Sequence, residues 1–288
     1  MARVRDVLDV LHRAYPESLA EDWDTGIGLT CGDPDDPVTA VLLAVDVDAA
    51  TVDEAISGGA EMLITHHPLL FRPVQSVAAD RAKGVLLHRM IRAGVAHAAA
   101  HTNADRAPGG VNSALAAALG LTDQRPLRPD DADPAHTGSG RVGRLPGPLT
   151  LRRFAALAAD RLPASVTGVR AAGDPDRVIS TVAVCGGAGD SELAAAAGSG
   201  ADVYLTSDLR HHVVADFVAD PANPAIVEVA HWAGEWPWLA NAAQLIEQGT
   251  FGAVTVTVST LRTDPWTLQV PSRRGGDGDA RPGAGTGG

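Results

Sequence analysis

The chain has 288 residues, of which 45% are hydrophobic and 20% are charged, and this composition is typical of a globular protein with a sizeable core. Its formal net charge of −12 excludes the basic surface that general binding to nucleic acids or anionic membranes requires. Cys31 and Cys185 are too few and too far apart for a disulfide framework or a zinc-thiolate motif, so we predict a reducing, cytoplasmic compartment. No apolar run approaches the roughly 18–20 residues of a membrane span, and the N-terminus lacks the apolar core of a secretory signal.

Short apolar strands alternate with helical segments along most of the chain. Val4, Val7, Leu8 and Leu11 lie on one face of a first predicted helix, which Pro16 ends. A last stretch, "AVTVTVST", alternates strictly and predicts a half-exposed strand. Between them, the stretches that carry the alternation are 40–48, 50–59, 61–67, 94–105, 111–120, 150–162, 178–197, 201–220 and 225–248.

This alternation indicates an α/β fold with mainly parallel sheets that helices cover on both faces. A loop rich in proline, aspartate and glycine, at roughly 122–148, indicates a break between two α/β units. We predict one unit in residues 1–125, completed by residues 226–266, and a second unit in residues 126–225. Segment 271–288 is rich in glycine and lacks large apolar residues, so we predict a disordered tail there.

Polar residues collect just past the predicted strands, where open α/β sheets bind their ligands. Six of the ten histidines are among them. Imidazole and carboxylate groups are the ligands of zinc, manganese, iron, cobalt or nickel, and His231 and Glu235 share a face if a helix forms there. The candidates are Asp46, Asp48, His66, His67, His101, Asn103, Asp105, Gly186, Gly187, Asp208, His211, His212, His231 and Glu235.

Each candidate also has a purely structural interpretation. A pair of adjacent histidines is more often a surface or packing feature than a ligand pair, and Asp46 and Asp48 are suited to capping the helix that follows them. His97 lies inside an apolar run, which is typical of a core histidine. The Gly186–Gly187 turn could hold phosphate at a helix start, but it matches neither the P-loop nor the dinucleotide fingerprint. No Gly-x-Ser-x-Gly elbow supports nucleophilic catalysis.

Taken in order, the motifs resemble a known family. They run from "EDWDTGIGLTCGD" (21–33) through "ITHHPLLF", "HTNAD" and "AHWAGE" to "TDPW" (263–266), and so cover nearly everything except the tail. This set is similar to the Nif-three-like dinuclear-metal hexameric proteins, commonly labelled homologues of the type-two form of GTP cyclohydrolase 1, in their short form. The family usually has glycine at Ala230, asparagine at Thr25 and glycine at Ser207, and none of these departures removes a ligand.

The resemblance implies two similar α/β units, a homohexamer and two divalent metal ions per chain. Asp105 and Glu235 are then the carboxylates placed to contact both ions. The implied metal ligands are His66, His67, Asp105, His231 and Glu235.

The resemblance also implies a metal-dependent hydrolase that opens the imidazole ring of GTP. In that reaction His101 either moves a proton or only orients a metal ligand. Two other functions stay open, a metal-binding, metal-handling or scaffold protein without a reaction and a nucleotide phosphoesterase. A nucleotide pocket would separate them, but no motif that reads a base or clamps a triphosphate is apparent. Scattered cationic residues are the candidates for phosphate binding, namely Arg72, Lys83, Arg106 and Arg210.

Overall fold

The computed structural model describes residues 1–270, so the predicted tail, 271–288, lies outside the described residues. The strands are β1 (Ala2–Arg3), β2 (Gly28–Cys31), β3 (Pro37–Val38), β4 (Ala40–Ala44), β5 (Met62–Thr65), β6 (Ala96–Ala99), β7 (Thr122–Pro129), β8 (Gly138–Thr150), β9 (Arg170–Ala172), β10 (Val178–Ala188), β11 (Val203–Ser207), β12 (Ala225–Glu228) and β13 (Thr255–Val258). The α-helices are α1 (Val4–Ala14), α2 (Ala49–Ser57), α3 (Ala82–Ala93), α4 (Thr102–Arg106), α5 (Val111–Ala118), α6 (Leu151–Arg161), α7 (Leu193–Gly198), α8 (His211–Ala219), α9 (His231–Glu235) and α10 (Trp238–Gly249). None of these helices is both long and apolar enough to cross a bilayer.

Apart from a small antiparallel pair of β1 and β3, the strands form two large sheets, and the first of these has five strands in the order β13-β4-β5-β6-β2. All its pairings are parallel except that of β2, which runs antiparallel to β6. Successive side chains of a strand point to opposite faces, so Val41 and Leu43 pack into one apolar cluster while Leu42 and Ala44 pack into another. Both faces are therefore buried, as the apolar runs predicted.

The second sheet has six strands in the order β7-β8-β10-β11-β12-β9. Its centre, β10 to β12, is parallel, whereas β7, β8 and β9 pair antiparallel. Val203 and Leu205 of β11 face one apolar cluster, and Tyr204 between them faces another. The predicted α/β class is confirmed. Parallel pairing dominates the first sheet, as predicted, whereas three of the five pairings in the second sheet are antiparallel.

The predicted loop at 122–148 is wrong, because β7 and β8 form a long hairpin there. Proline suggested a loop, since it cannot donate a ladder hydrogen bond. In this hairpin Pro126 and Pro129 lie on β7, which is an edge strand, and edge strands tolerate proline. Pro146 and Pro148 of β8 lie beyond the last residue that pairs with β7, which is Arg144.

The strand pairing also shows which segments belong to which sheet. Strand β12 pairs with β11 and so lies in the second sheet, although the predicted boundary at 225/226 cuts through it. Strand β13 belongs to the first sheet, because it pairs with β4. Helix α10 packs on the same side of the molecule, since Trp238 and Ile246 share an apolar cluster with residues of α1 and β4. The predicted extents of the two units stay a prediction at this level of detail.

The two sheets turn the carboxyl ends of their parallel strands toward each other. His67 follows β5 in the first sheet, and His231 follows β12 in the second. Their Nε2 atoms are 3.2 Å apart, although the residues are 164 positions apart in the chain. The space between the two sheets is therefore where polar residues from both meet.

Candidate metal centre

His66 and His67 lie in a turn just beyond β5, not on an extended strand. The Thr65 hydroxyl donates to the backbone carbonyl of His67 at 2.6 Å, which closes this turn. On a strand the two rings would point in opposite directions, but here their centroids are 5.0 Å apart. The turn thus brings both imidazoles to the same side.

The oxygen next to each Nδ1 atom fixes the tautomers of these two rings. Nδ1 of His66 lies 2.8 Å from the carbonyl oxygen of Ala100, and Nδ1 of His67 lies 2.7 Å from Oδ1 of Asp46. A carbonyl or carboxylate oxygen can only accept, so each Nδ1 carries the hydrogen and donates it. Each Nε2 is then left to bind a cation, which is the usual arrangement of metal-binding histidines.

His101 and Asp24 form a similar pair on the other side of the cluster. His101 Nδ1 donates to Asp24 Oδ2 at 2.8 Å, and the same oxygen accepts from the backbone and the hydroxyl of Thr102. Burial alone would raise the pKa of Asp24, but these hydrogen bonds lower it to about 2. The carboxylate therefore stays an acceptor, and His101 presents Nε2 toward His66 and His67, whose ring centroids lie 5.2 and 5.7 Å away.

Replacing Asp24 with asparagine is expected to weaken metal binding by about 10- to 100-fold, the usual cost of losing a group that orients a ligand. The amide NH₂ can donate to His101 Nδ1, and this would leave the hydrogen on Nε2. Competition titration with a chromophoric chelator measures the effect. Asp22→Asn is the matched control, because Asp22 is exposed and only two residues away. Equal affinities in the two variants would contradict the orienting role.

His231 starts helix α9 and is held from the second sheet. Its Nδ1 donates to Asp208 Oδ2 at 2.6 Å. Asp208 follows β11 with a φ of 58°, a left-handed conformation that aspartate adopts more readily than most residues. Glu235 is one helical turn after His231 and, as predicted, on the same face, so that its Oε1 lies 3.0 Å from His231 Nε2.

Glu235 lies at the centre of the cluster. Its Oε1 is 3.4 Å from His66 Nε2, and its Oε2 is 3.1 Å from His67 Nε2. Asp105, in α4, reaches the same place from the side, with Oδ1 3.7 Å from His66 Nε2. The structure thus brings together all five residues that the resemblance implied as ligands, and His101 with them.

Two groups of ligand atoms each lie close enough together to bind one metal ion. Within each group the atoms are no more than 4.8 Å apart. The first group is His66, His67 and His101, and the second is His67, His231 and Glu235.

Several polar atoms of this cluster are buried without a hydrogen-bond partner among residues 1–270. They are His66 Nε2, Asp105 Oδ1 and Glu235 Oε2. A buried polar atom without a partner is costly, by about 1–3 kcal/mol and more for a charged group. A cation between these atoms would satisfy all of them, so the residues present fit a metal centre.

The electrostatics of the cluster also favour positive charge. Burial opposes protonation of His67 and His231, yet Glu235 and the aspartate beside each ring raise the pKa of His67 to about 10 and that of His231 to about 11. Burial alone would raise the pKa of Glu235, but the three surrounding imidazoles hold it well below its usual range. The negative charge of the carboxylates therefore stabilises positive charge between the rings, and either protons or divalent ions can supply that charge.

Gly186 and Gly187 lie near the end of strand β10, not in a turn at a helix start as predicted, and they form one wall of the cluster. Gly187 has a φ of +68°, and a Cβ there would lie 2.5 Å from Glu235 Oε1 and 3.1 Å from His231 Nε2. Only glycine leaves room for both side chains at this position. Gly187 thus contributes to the cluster by having no side chain.

Other candidates lie away from the cluster. Asp48 caps helix α2, as the structural interpretation held, by accepting from the backbone of Ala50 and Thr51. Asn103 donates to the carbonyl of Tyr15, which is a packing role. His211 and His212 begin helix α8 and are exposed, and neither belongs to the two ligand groups.

The cationic candidates for phosphate binding are mostly engaged elsewhere. Arg106 pairs with Glu21 and Asp130, and Arg210 pairs with Asp190. The guanidinium of Arg72 lies 5.9 Å from the ring centroid of Phe71. Lys83 lines a cavity of about 510 Å³ that reaches His67 from the side of α3.

Sequence reasoning missed Asp24 and the carbonyl of Ala100. Asp24 lies in the quoted motif "EDWDTGIGLTCGD", but nothing local links it to His101, which is 77 residues later. Asp48 alone caps α2, and Asp46 accepts a hydrogen bond from His67. The signal that could have assigned it is its position two residues after β4, since His67 lies two residues after the neighbouring strand β5.

His97 is a core histidine with only one satisfied nitrogen. Its Nε2 donates to Thr65 Oγ1 at 3.0 Å, and its buried Nδ1 has no partner among residues 1–270. Burial lowers its pKa to about 4. Through Thr65, this ring supports the turn that carries His66 and His67.

The stability of the protein is expected to fall as the pH drops from about 6.5 to 4, in part because of His97. In the unfolded chain its pKa is about 6.5, so over this range the unfolded state binds a proton that the folded state excludes. The contribution is present above pH 6.5 and amounts to about 2–3 kcal/mol lost by pH 4.5. Urea unfolding of wild type and His97→Gln at pH 7 and 4.5 measures it. The variant should lose less stability on acidification than wild type, and equal losses would contradict this assignment.

A cavity of about 830 Å³ opens beside the cluster and is lined by His67 and His231. It is large enough for a nucleoside-sized molecule. Its walls include residues after β11 and β12 and the C-terminal segment from Thr263 to Gln269. The cluster is thus accessible from a space in which a substrate can bind.

Together, the fold and this cluster define an α/β protein with a candidate metal centre between two sheets. Residues 2–265 match the Duf34/NIF3 (NGG1p interacting factor 3) family, and the chain belongs to that family. The resemblance that the motifs indicated is thereby confirmed.

Individual relatives support the same assignment. A Streptomyces coelicolor protein named GTP cyclohydrolase 1 type 2 homolog is 48% identical, with 94% of this chain and 96% of that protein covered. A Mycobacterium bovis protein of the same name is 37% identical, with 92% and 97% covered. The crystal structure of a Bacillus cereus protein related to NIF3 matches with a TM-score of 0.85 and 26% identity over 93% of this chain and 99% of that one.

Proposed function

We propose that this protein is a metal-dependent hydrolase that binds two divalent ions and acts on a nucleotide, as the name GTP cyclohydrolase 1 type 2 homolog suggests for its relatives. One observation carries the proposal. Four imidazoles donate Nδ1–H to oxygen acceptors, and their Nε2 atoms converge with two carboxylates. This arrangement, with the hydrogen of Nδ1 donated to an oxygen and Nε2 directed inward, is the usual one for metal-binding histidines.

In this proposal each ion has its own set of ligands. An imidazole Nε2 has one lone pair, so His67 serves a single ion, together with His231, whose Nε2 is 3.2 Å away. His66, His101 and Asp105 serve the other ion. Glu235 serves both, because its two oxygens face His66 and His67 separately. Mixed imidazole and carboxylate sets suit zinc, manganese, iron, cobalt or nickel.

Two such ions, when bound, lower the pKa of water toward neutrality and polarise the bond to be cleaved. The protein's own residues orient the ligands and admit the substrate. Asp46, Asp208 and Asp24 fix the rings of His67, His231 and His101. Proton transfer by His101 stays a prediction. Because His101 converges with His66 and His67, a role as a metal ligand is favoured over a role in proton transfer.

The test is an activity screen of metal-replete and metal-stripped protein against the common nucleoside triphosphates, with products identified by mass. A metal-dependent product from GTP that has gained one water and lost the imidazole absorbance supports the proposal. Release of phosphate or pyrophosphate with an unchanged base would favour the phosphoesterase alternative. An absence of turnover in both preparations would favour a metal-handling or scaffold role and contradict the proposal.

The homohexamer implied by the resemblance belongs to the same proposal. Light scattering coupled to size-exclusion chromatography tests it directly. A mass of six chains supports it, and a monomer at micromolar concentration contradicts it.

A further inference from the structure

The cavity beside the cluster is unusually acidic for a site that would bind a triphosphate. Four carboxylates line it, those of Asp46, Asp208, Glu228 and Asp264. The one cationic side chain of its described lining other than histidine is Arg170, and this guanidinium is paired with Glu228 at 2.7 Å. Phosphate groups would thus find no free guanidinium or ammonium group among these residues. A ligand that enters this cavity is expected to present hydrogen-bond donors to its walls and to keep its phosphates outside.

Asp264 is the carboxylate that most needs such a donor. The residue is 7% exposed, and its buried Oδ2 atom has no hydrogen-bond partner among residues 1–270. A buried carboxylate without a donor is costly, so a bound water, ion or ligand is expected to supply the missing partner. Asp46 and Asp208, by contrast, already accept from His67 and His231.

The segment that carries Asp264 is anchored to the metal cluster. Thr263 donates its hydroxyl hydrogen to Oδ2 of Asp46, whose other oxygen holds His67. One aspartate therefore links the cluster to the segment. Asp264 is held at a fixed position next to the place where a substrate would meet the metal ligands.

An aromatic side chain on the same segment provides a surface for a planar ring. Trp266, two residues after Asp264, is 61% exposed and lines the same cavity. An exposed indole is a large apolar surface, and planar heterocycles stack on such surfaces. The buried Trp232 lines the cavity as well.

We propose that Asp264 recognises a planar heterocycle through two adjacent N–H donors, as in guanine or another 2-aminopyrimidinone, while Trp266 stacks on its ring. A carboxylate accepts two parallel hydrogen bonds from such an edge, one at each oxygen. This inference rests on the proposed function, since it names the part of the substrate that the cavity selects. It assigns specificity to the C-terminal segment 263–266, to which no role is otherwise given.

The test is binding of nucleosides to metal-replete protein, measured by calorimetry, so that it does not depend on turnover. Guanosine, which offers N1–H and the 2-amino group, is expected to bind at least about 10-fold more tightly than inosine, which lacks the amino group. GTP is expected to bind no more tightly than guanosine, with little dependence on salt. Equal affinity for guanosine and inosine, no binding of either, or much tighter and salt-dependent binding of GTP would overturn the inference.

Asp264→Asn makes the test sharper. The amide offers a donor in place of one acceptor, so guanosine should bind at least about 10-fold more weakly. Xanthosine has a carbonyl where guanosine has the 2-amino group, so its affinity should increase. Glu228→Gln is the matched control, a carboxylate of the same cavity that is already paired with Arg170, and it should keep the preference for guanosine. Trp266→Ala should weaken the binding of all nucleosides to a similar extent.

The metal content of each variant, measured in parallel, separates this inference from the proposed function. If wild-type protein has its normal metal content but does not prefer guanosine to inosine, the role of Asp264 is refuted, while the proposed metal-dependent hydrolase is unaffected. An Asp264→Asn protein with the selectivity of wild type would refute it in the same way.

Discussion

Replacing Glu235 with glutamine is expected to leave about one tightly bound divalent ion in place of the two proposed for wild type. The carboxylate contacts His66, His67 and His231 at 3.4, 3.1 and 3.0 Å, so in the proposed assignment its two oxygens serve both ions. Glutamine keeps the size but removes the negative charge that offsets the repulsion between neighbouring cations. We expect the affinity for the second ion to fall at least about 100-fold, more than the loss of an orienting group costs.

Elemental analysis after reconstitution and a chelator competition measure this effect. Glu228→Gln is a suitable control, because that carboxylate lines the cavity but does not belong to either ligand group. His66→Ala should instead weaken chiefly one ion. Circular dichroism should show an intact fold in all three variants, since the strands do not depend on these side chains. If Glu235→Gln bound both ions as tightly as wild type, the bridging role would be wrong.

Replacing Gly187 with alanine is expected to weaken the same site without changing any ligand. The new Cβ would lie 2.5 Å from Glu235 Oε1, and Glu235 is only 3% exposed, so its carboxylate can yield only by leaving its place between the imidazoles. The φ of +68° adds a backbone cost of about 1–2 kcal/mol for any residue with a Cβ. Metal affinity should fall at least about 10-fold.

Gly252→Ala separates the two causes. Gly252 has a φ of +71°, close to that of Gly187, but its added Cβ would meet nothing within 4 Å. Both variants should therefore lose similar stability in urea unfolding, while only Gly187→Ala should lose metal affinity. Unchanged metal affinity in Gly187→Ala would show that the cluster is more tolerant than its packing indicates.

Local sequence patterns predicted the elements that are regular and buried. The apolar runs at β4, β5 and β11 are buried on both faces, and the helix of His231 and Glu235 forms as its spacing indicated. The pattern failed where proline and aspartate interrupt strands, in the hairpin of β7 and β8. It also could not tell which sheet β12 joins, because an apolar run fits the centre of either one.

The five candidate ligands follow strand ends, which placed them among the candidates, and the family resemblance then selected them. The residues that support them carried no such signal. Asp24 and the carbonyl of Ala100 hold His101 and His66, but each acts across a distance in the chain that carries no periodic signal. The missing side chain of Gly187 is similar, since only the packed structure shows what it leaves room for. Rotamers and tautomers are decided by such tertiary contacts.

The most direct test of the metal centre is anomalous X-ray diffraction from crystals of the reconstituted protein, recorded on both sides of the absorption edge of the added metal. We expect two anomalous peaks per chain, roughly 3.5–4 Å apart, with Glu235 between them. For zinc, the imidazole Nε2 atoms should lie about 2.0–2.1 Å from the peaks. One peak should lie beside His67 and His231 and the other beside His66 and His101. Metal-replete crystals without a peak at this cluster, or with peaks only elsewhere, would contradict it.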